Sequence, residues 1–228
     1  MMIALAACAQ SSSSDTSVSQ TDATTAVTET TATTETVSET TPPPAAAGQE
    51  KASMSAYENK VAEVKTSAGD IHIRFFPDIA PNHVKNFIDL AQQGYYNGTK
   101  FHRIIPGFMI QGGDPNTKSG DPSSWGIGGS GKHVKAEFSS VPHRRGIVSM
   151  ARANDPDSAS SQFFIVTSDS TFLDNKYSVF GQVTKGMDVA DKIVNAPKGA
   201  RDVPNDPVSI VSITIRDARD DEKGAAPK

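Results

Sequence analysis

Cysteine is nearly absent from this 228-residue chain: Cys8 is its single example. A disulfide within the chain is excluded, and so is a zinc site of the multi-cysteine kind. Five histidines stand at positions 72, 83, 102, 133 and 143, and no two have the H-x-x-x-H spacing of a helical metal site. No metal and no cofactor is therefore expected. No run reaches the roughly 18–20 apolar residues that a membrane-spanning helix needs. Excess positive charge is lacking too, since the formal net charge is −4. Residues 9–56 carry six acids and one base, leaving the remainder close to neutral, and nothing suggests a nucleic-acid partner.

Aromatic residues are missing from 9–56, where Ser and Thr dominate up to Pro42-Pro43-Pro44. Such a segment cannot bury enough apolar surface to offset its chain entropy, so 8–56 reads as a disordered tether. Ahead of it, Met1-Met2-Ile3-Ala4-Leu5-Ala6-Ala7-Cys8 is apolar, with small residues before the cysteine. Leu5-Ala6-Ala7-Cys8 resembles the lipobox of bacterial lipoproteins, in which the cysteine is acylated. The run is short and lacks a basic flank, so residues 1–7 read as the remnant of a signal peptide. Cys8 is then the expected lipidation site and the sole membrane attachment, which implies a lipid-anchored, extracytoplasmic protein.

From Tyr57 the patterning changes. Val61–Thr66 and Ile71–Phe76 flank Ser67-Ala68-Gly69-Asp70 and read as a hairpin. Pro81 opens a helix, with Val84, Phe87, Ile88 and Ala91 on one face and Gly94 as its stop. Phe101–Ile105 and Phe108–Gln111 read as strands broken at Pro106-Gly107, and 112–136 as a long loop. Gly146–Ala151, Gln162–Thr167, Ser178–Val183 and Val208–Ile215 are further strands. Met187, Ala190, Ile193 and Val194 mark a second helix. Many short strands with two helices, in no repeating βαβ order, predict a mainly β fold: a closed antiparallel barrel capped by helices. The tail 218–228 is charged and reads as flexible.

Several motifs invite other readings. Gly126-Ile127-Gly128-Gly129-Ser130-Gly131 fits G-x-G-x-x-G, but no apolar strand precedes it and no helix pattern follows, so turn glycines are the better account than phosphate binding. Ser160, Ser161 and Asp157 suggest parts of a hydrolase triad, yet no serine has a G-x-S-x-G elbow.

Two stretches carry the chemistry. Phe101-His102-Arg103-Ile104-Ile105-Pro106-Gly107-Phe108-Met109-Ile110-Gln111-Gly112-Gly113-Asp114 puts one arginine and one glutamine among bulky apolar side chains. Ser149-Met150-Ala151-Arg152 and Ser161-Gln162-Phe163-Phe164-Ile165 follow in that order. Together they resemble the active-site signature of the cyclophilin-type peptidyl-prolyl isomerases, over roughly Val61 to Arg216. The resemblance implies an eight-stranded cyclophilin-like barrel spanning 57–217 and a prolyl isomerase acting on proline-containing segments as a monomer. It implies Arg103, Phe108 and Gln111 as catalytic residues. It implies Phe108, Met109, Phe164 and Leu173 in the proline pocket, with Ala151, Arg152 and Gln162 as peptide contacts. Phe172 and Tyr177 complete the rim, where many members have Trp and His, which puts cyclosporin sensitivity in doubt more than activity. His102 reads equally as a buried structural histidine or an active-site group. A proline-binding module or holdase with little turnover is the competing reading.

Overall fold

The computed structural model describes residues 57–224 and 226–227, so Cys8, the signal remnant and the tether lie outside the described residues. Among the described residues eight strands form one antiparallel sheet: β1 (Lys60–Thr66), β2 (Gly69–Phe75), β3 (Arg103–Ile105), β4 (Met109–Gly112), β5 (Ile147–Met150), β6 (Phe163–Val166), β7 (Val179–Lys185) and β8 (Ile210–Asp217). Their order is β3-β4-β6-β5-β7-β2-β1-β8. The ladder ends at β3 and β8, and the residues just before β3 bridge that gap. Lys100 pairs with Ser209. Phe101 N–H donates to Val208 O at 3.0 Å, and Ile210 N–H to Thr99 O at 2.7 Å. The curled sheet is thus joined by this short bridge, not by a β3–β8 ladder.

Helix α1 (Pro81–Gln92) packs on β7 and β8, and α2 (Met187–Val194) packs on β2, β3 and β4. Pro81 sits at the start of α1, where its missing N–H costs nothing. Ala80 provides no side-chain cap. The Glu137 carboxylate substitutes, accepting from Asn82 N–H at 3.1 Å and His83 N–H at 3.0 Å. Burial pushes the Glu137 carboxyl up, but its hydrogen bonds from His83 and Asn82 outweigh that and hold it below the usual carboxylate range. This contact pins the long loop to the domain.

Successive residues of a strand face opposite sides of the sheet. That period sorts the continuous apolar run Phe163-Phe164-Ile165-Val166 into two clusters. Phe163 and Ile165 enter the main core with Ile104, Ile110 and Phe87. Phe87 of α1 lies 5.0–5.7 Å from the rings of Phe75, Tyr96, Phe163 and Phe180, joining helix to sheet. Phe164 and Val166 face the other way, into a second cluster with Met109, Ile147, Leu173 and Val179. Both faces of β6 are buried, so its sequence does not alternate. The second cluster forms the floor of the site.

The tail is partly docked rather than flexible throughout. Glu222 is buried, and its carboxylate accepts from Arg216 Nη1 at 2.6 Å and Nη2 at 2.7 Å. It also lies 2.8 Å from His72 Nδ1. A charge run reads as solvated in sequence because its distant partners, His72 and Arg216, cannot be seen there.

Candidate active site

The turn between β3 and β4 sets the site. Pro106-Gly107 occupies the centre of a β-turn closed by Phe108 N–H on Ile105 O at 3.0 Å, and Gly107 has φ +75°. Proline first and a left-handed glycine second is the chemistry of a type II turn. The register it fixes puts Arg103 opposite Gln111 and Ile105 opposite Met109. β6 then places Phe164 beside Gln111.

Arg103, Phe108, Met109, Gln111 and Phe164 line one groove of about 370 Å³, and Ala151, Arg152, Phe172, Leu173 and Tyr177 complete it. Met109, Phe164 and Leu173 are 2 %, 5 % and 6 % exposed, so they are core and pocket wall at once. Phe108 meets Phe172 at 5.3 Å between ring centroids, and Phe172 stands out at the rim, 62 % exposed. Tyr177 meets Phe164 edge-on at 5.7 Å. Arg103 is half-exposed at the lip, its Nε 3.8 Å from an Asp202 carboxylate oxygen. At that length and exposure the pair holds the guanidinium loosely.

Gln111 and Gln162 do something the sequence does not reveal. Gln111 Nε2 donates to Gln162 Oε1 at 2.9 Å, while Gln162 Nε2 donates to Gly126 O at 3.0 Å and Gly128 O at 2.8 Å. Gln111 therefore faces Arg103 across the ladder while its amide hydrogen bond runs to Gln162, not to the arginine. The glycine-rich loop that mimicked a phosphate motif is wrapped around a carboxylate of the protein itself. Buried Asp114 accepts from the N–H groups of Gly126 and Gly128. A Cβ at Gly128 would collide with that carboxylate, which is why glycine stands there.

His102 does not line this groove. It is 3 % exposed, beside Trp125 and Gly126 in a neighbouring depression. Among the described residues neither ring nitrogen makes a hydrogen bond of good geometry, and the Lys100 backbone and the Gln162 side chain interact with the ring only weakly. Burial lowers its pKa from the usual imidazole value. As the residue before Arg103, it points the other way along the extended chain.

Ser149, His143 and Asp174 were missed from sequence. His143 Nδ1 lies 2.9 Å from Asp174 Oδ1, and Nε2 lies 2.9 Å from Ser149 Oγ. The carboxylate fixes the tautomer: Nδ1–H donates to Asp174, and Nε2 accepts from the serine. Burial lowers the His143 pKa, although Asp174 opposes that shift, so the ring is held neutral. The geometry looks hydrolytic, but Ser149 and His143 are fully buried, and no substrate carbonyl can reach the hydroxyl. The relay instead supports the groove. His143 stacks on Phe164 at 6.2 Å, and Asp174 belongs to the loop carrying Phe172, Leu173 and Tyr177.

Comparison with known proteins decides the family. Residues 61–215 match the model for cyclophilin type peptidyl-prolyl cis-trans isomerases. This chain belongs to the cyclophilin family. It is 42 % identical over 171 residues to a peptidyl-prolyl cis-trans isomerase of Acinetobacter baylyi, covering 71 % of this chain and 88 % of the relative. It is 43 % identical over 163 residues to a probable peptidyl-prolyl cis-trans isomerase of Brucella abortus, covering 69 % and 83 %. A crystal structure of a cyclophilin type isomerase from Cryptosporidium parvum, in the presence of the dipeptide Ala-Pro, superposes with a TM-score of 0.62. That pair is 34 % identical and covers 68 % of this chain and 98 % of the other. The activity is that of a cyclophilin-type prolyl isomerase, whose family binds proline-containing peptides.

Proposed function

We propose that Arg103 is the catalytic cation of this isomerase and that Phe108, Met109, Phe164 and Leu173 hold the proline ring. Rotating an X–Pro bond breaks amide resonance against a barrier of roughly 18–20 kcal/mol. No covalent bond is made or broken. As the amide twists, the nitrogen lone pair localises and becomes a hydrogen-bond acceptor. A guanidinium directed at that nitrogen binds the twisted amide better than the planar one, which lowers the barrier. Arginine suits the task because it stays charged and presents a rigid fork. The carrying observation is that Arg103 and these four apolar side chains line a single groove. Gln111, with Gln162 behind it, closes one side and offers polar groups to the peptide backbone.

We further propose that the enzyme works outside the cytoplasm as a lipid-anchored monomer, attached through Cys8 and held off the membrane by residues 9–56. Supporting this are the Leu5-Ala6-Ala7-Cys8 pattern and the Ser/Thr-rich segment after it. Turnover is tested by an exchange or protease-coupled assay on a cis-enriched X-Pro peptide; binding without acceleration contradicts the catalytic role. The anchor is tested by fractionation. The native protein should partition with membranes and Cys8→Ser should not, and equal partitioning of the two contradicts it.

A further inference from the structure

We infer that Arg152 makes this isomerase selective for X-Pro segments with an acidic side chain within two residues of the proline. The inference rests on the groove being the proline site. A second groove of about 560 Å³ continues from it and shares Gln111, Ala151 and Arg152. A peptide whose proline sits in the first groove must lay its neighbouring residues along this shared wall.

The charge along that wall has one sign. Among the described residues no Asp or Glu lines either groove, whereas Arg103 and Arg152 line the first and Arg152 the second. The chain's formal net charge of −4 arises in residues 9–56, and the remainder is close to neutral. Asp155 and Asp157, next to the wall in sequence, keep their charge but line neither groove. Asp155 Oδ1 accepts from Asp157 N–H, and Asp157 Oδ1 accepts from Ala136 N–H, each at 2.9 Å.

Arg152 is also held still. Its Nε and Nη2 donate to Lys176 O at 3.2 and 3.0 Å. Nη1 donates to Ala153 O at 2.9 Å and Asn154 O at 3.1 Å. The guanidinium lies over the Tyr177 ring at 4.8 Å. These bonds fix its plane without neutralising it, because no carboxylate pairs with Arg152 among the described residues. Four of its five donors are used, which leaves one Nη2 hydrogen for a ligand. A cation already ordered by its own loop loses little side-chain freedom on meeting a carboxylate. A lysine on the substrate would face Arg152, whereas Arg103 has the Asp202 carboxylate 3.8 Å away.

The test compares kcat/KM for peptides carrying Glu, Gln or Lys at each of the two positions before proline and the two after. For the best-placed position, wild type should favour Glu over Lys by about 3–10-fold, in line with partly exposed ion pairs. That ratio should shrink as salt rises from about 20 mM to 500 mM. In Arg152→Gln the ratio should fall towards one, and Arg152→Lys should restore part of it; a melting curve confirms that both fold. Equal rates for Glu and Lys at every position would overturn the inference, as would a ratio unchanged in Arg152→Gln or insensitive to salt. Turnover of the Gln peptides keeps this separate from the isomerase reading: their failure to react contradicts that reading, not the charge preference.

Discussion

Replacing His143 with alanine should destabilise this domain far more than a typical single substitution. The ring makes two hydrogen bonds, each at 2.9 Å, one to a carboxylate and one to the buried Ser149 hydroxyl. A bond to a charged group contributes about 1.5–3 kcal/mol and a neutral one about 0.5–1.5 kcal/mol. The space left beneath Phe164 adds a cavity cost, so the total is about 3–5 kcal/mol, against a typical domain stability of roughly 5–15 kcal/mol. In a domain of this size that lowers the melting temperature by roughly 6–20 °C. His143→Asn separates the contributions. Its amide nitrogen can stand in for Nδ1 and keep the Asp174 bond while losing the Ser149 bond, so it should cost less than half as much. Urea unfolding followed by fluorescence and calorimetry measures both. Because Phe164 loses its stacked partner, KM for a proline peptide should also rise in both variants. A loss below about 1 kcal/mol for His143→Ala, or equal losses for Ala and Asn, would refute the reasoning.

Acid should weaken the fold. His102 and His143 are held neutral with pKa values below the usual imidazole value, chiefly by burial, so the unfolded chain takes up protons first. Their stability contribution is complete above about pH 6.5 and is lost as pH falls through their folded values; urea midpoints at pH 7.5, 6 and 5 should decrease in that order. Glu222→Gln should cost at least about 2–3 kcal/mol, because it unpairs Arg216 and His72 around a buried carboxylate, although Glu63 still pairs with that arginine; an unchanged unfolding midpoint would show that the tail does not brace the sheet. Phe172→Trp should tighten cyclosporin, which the family resemblance places at this rim, by about tenfold through an added N–H donor and apolar area. It should move kcat/KM for peptides only modestly, and equal cyclosporin affinity in both proteins contradicts the placement of Phe172.

The strands and helices were legible because local signals agree with the final packing. Pro81 and Gly94 bound the first helix, and Pro106-Gly107 marks the turn that sets Arg103 against Gln111. Most of the groove was legible through family likeness, and period-two patterning then explains how Met109 and Phe164 share a face. What sequence hid was long-range pairing. Nothing local predicts that Asp114 fills the glycine loop, that Glu137 caps the first helix, or that Glu222 reaches His72, 150 residues away. Asp174 and Ser149 flank His143 only after folding, so their relay could not be read from spacing. His102 shows the converse: a signature residue next to the proposed catalytic arginine that the extended chain turns away from the groove.

The most direct test of the account is the kcat/KM of Arg103→Ala on a cis-enriched X-Pro peptide. Arg103 is half-exposed, and its ion pair with Asp202 is long, so the variant should fold with a nearly unchanged melting temperature. Removing one donor from a charge that develops in the transition state costs about 2.7–4 kcal/mol, or roughly 10²–10³ in rate. The account predicts a loss of that size in a folded protein, and near-normal turnover by Arg103→Ala would contradict it.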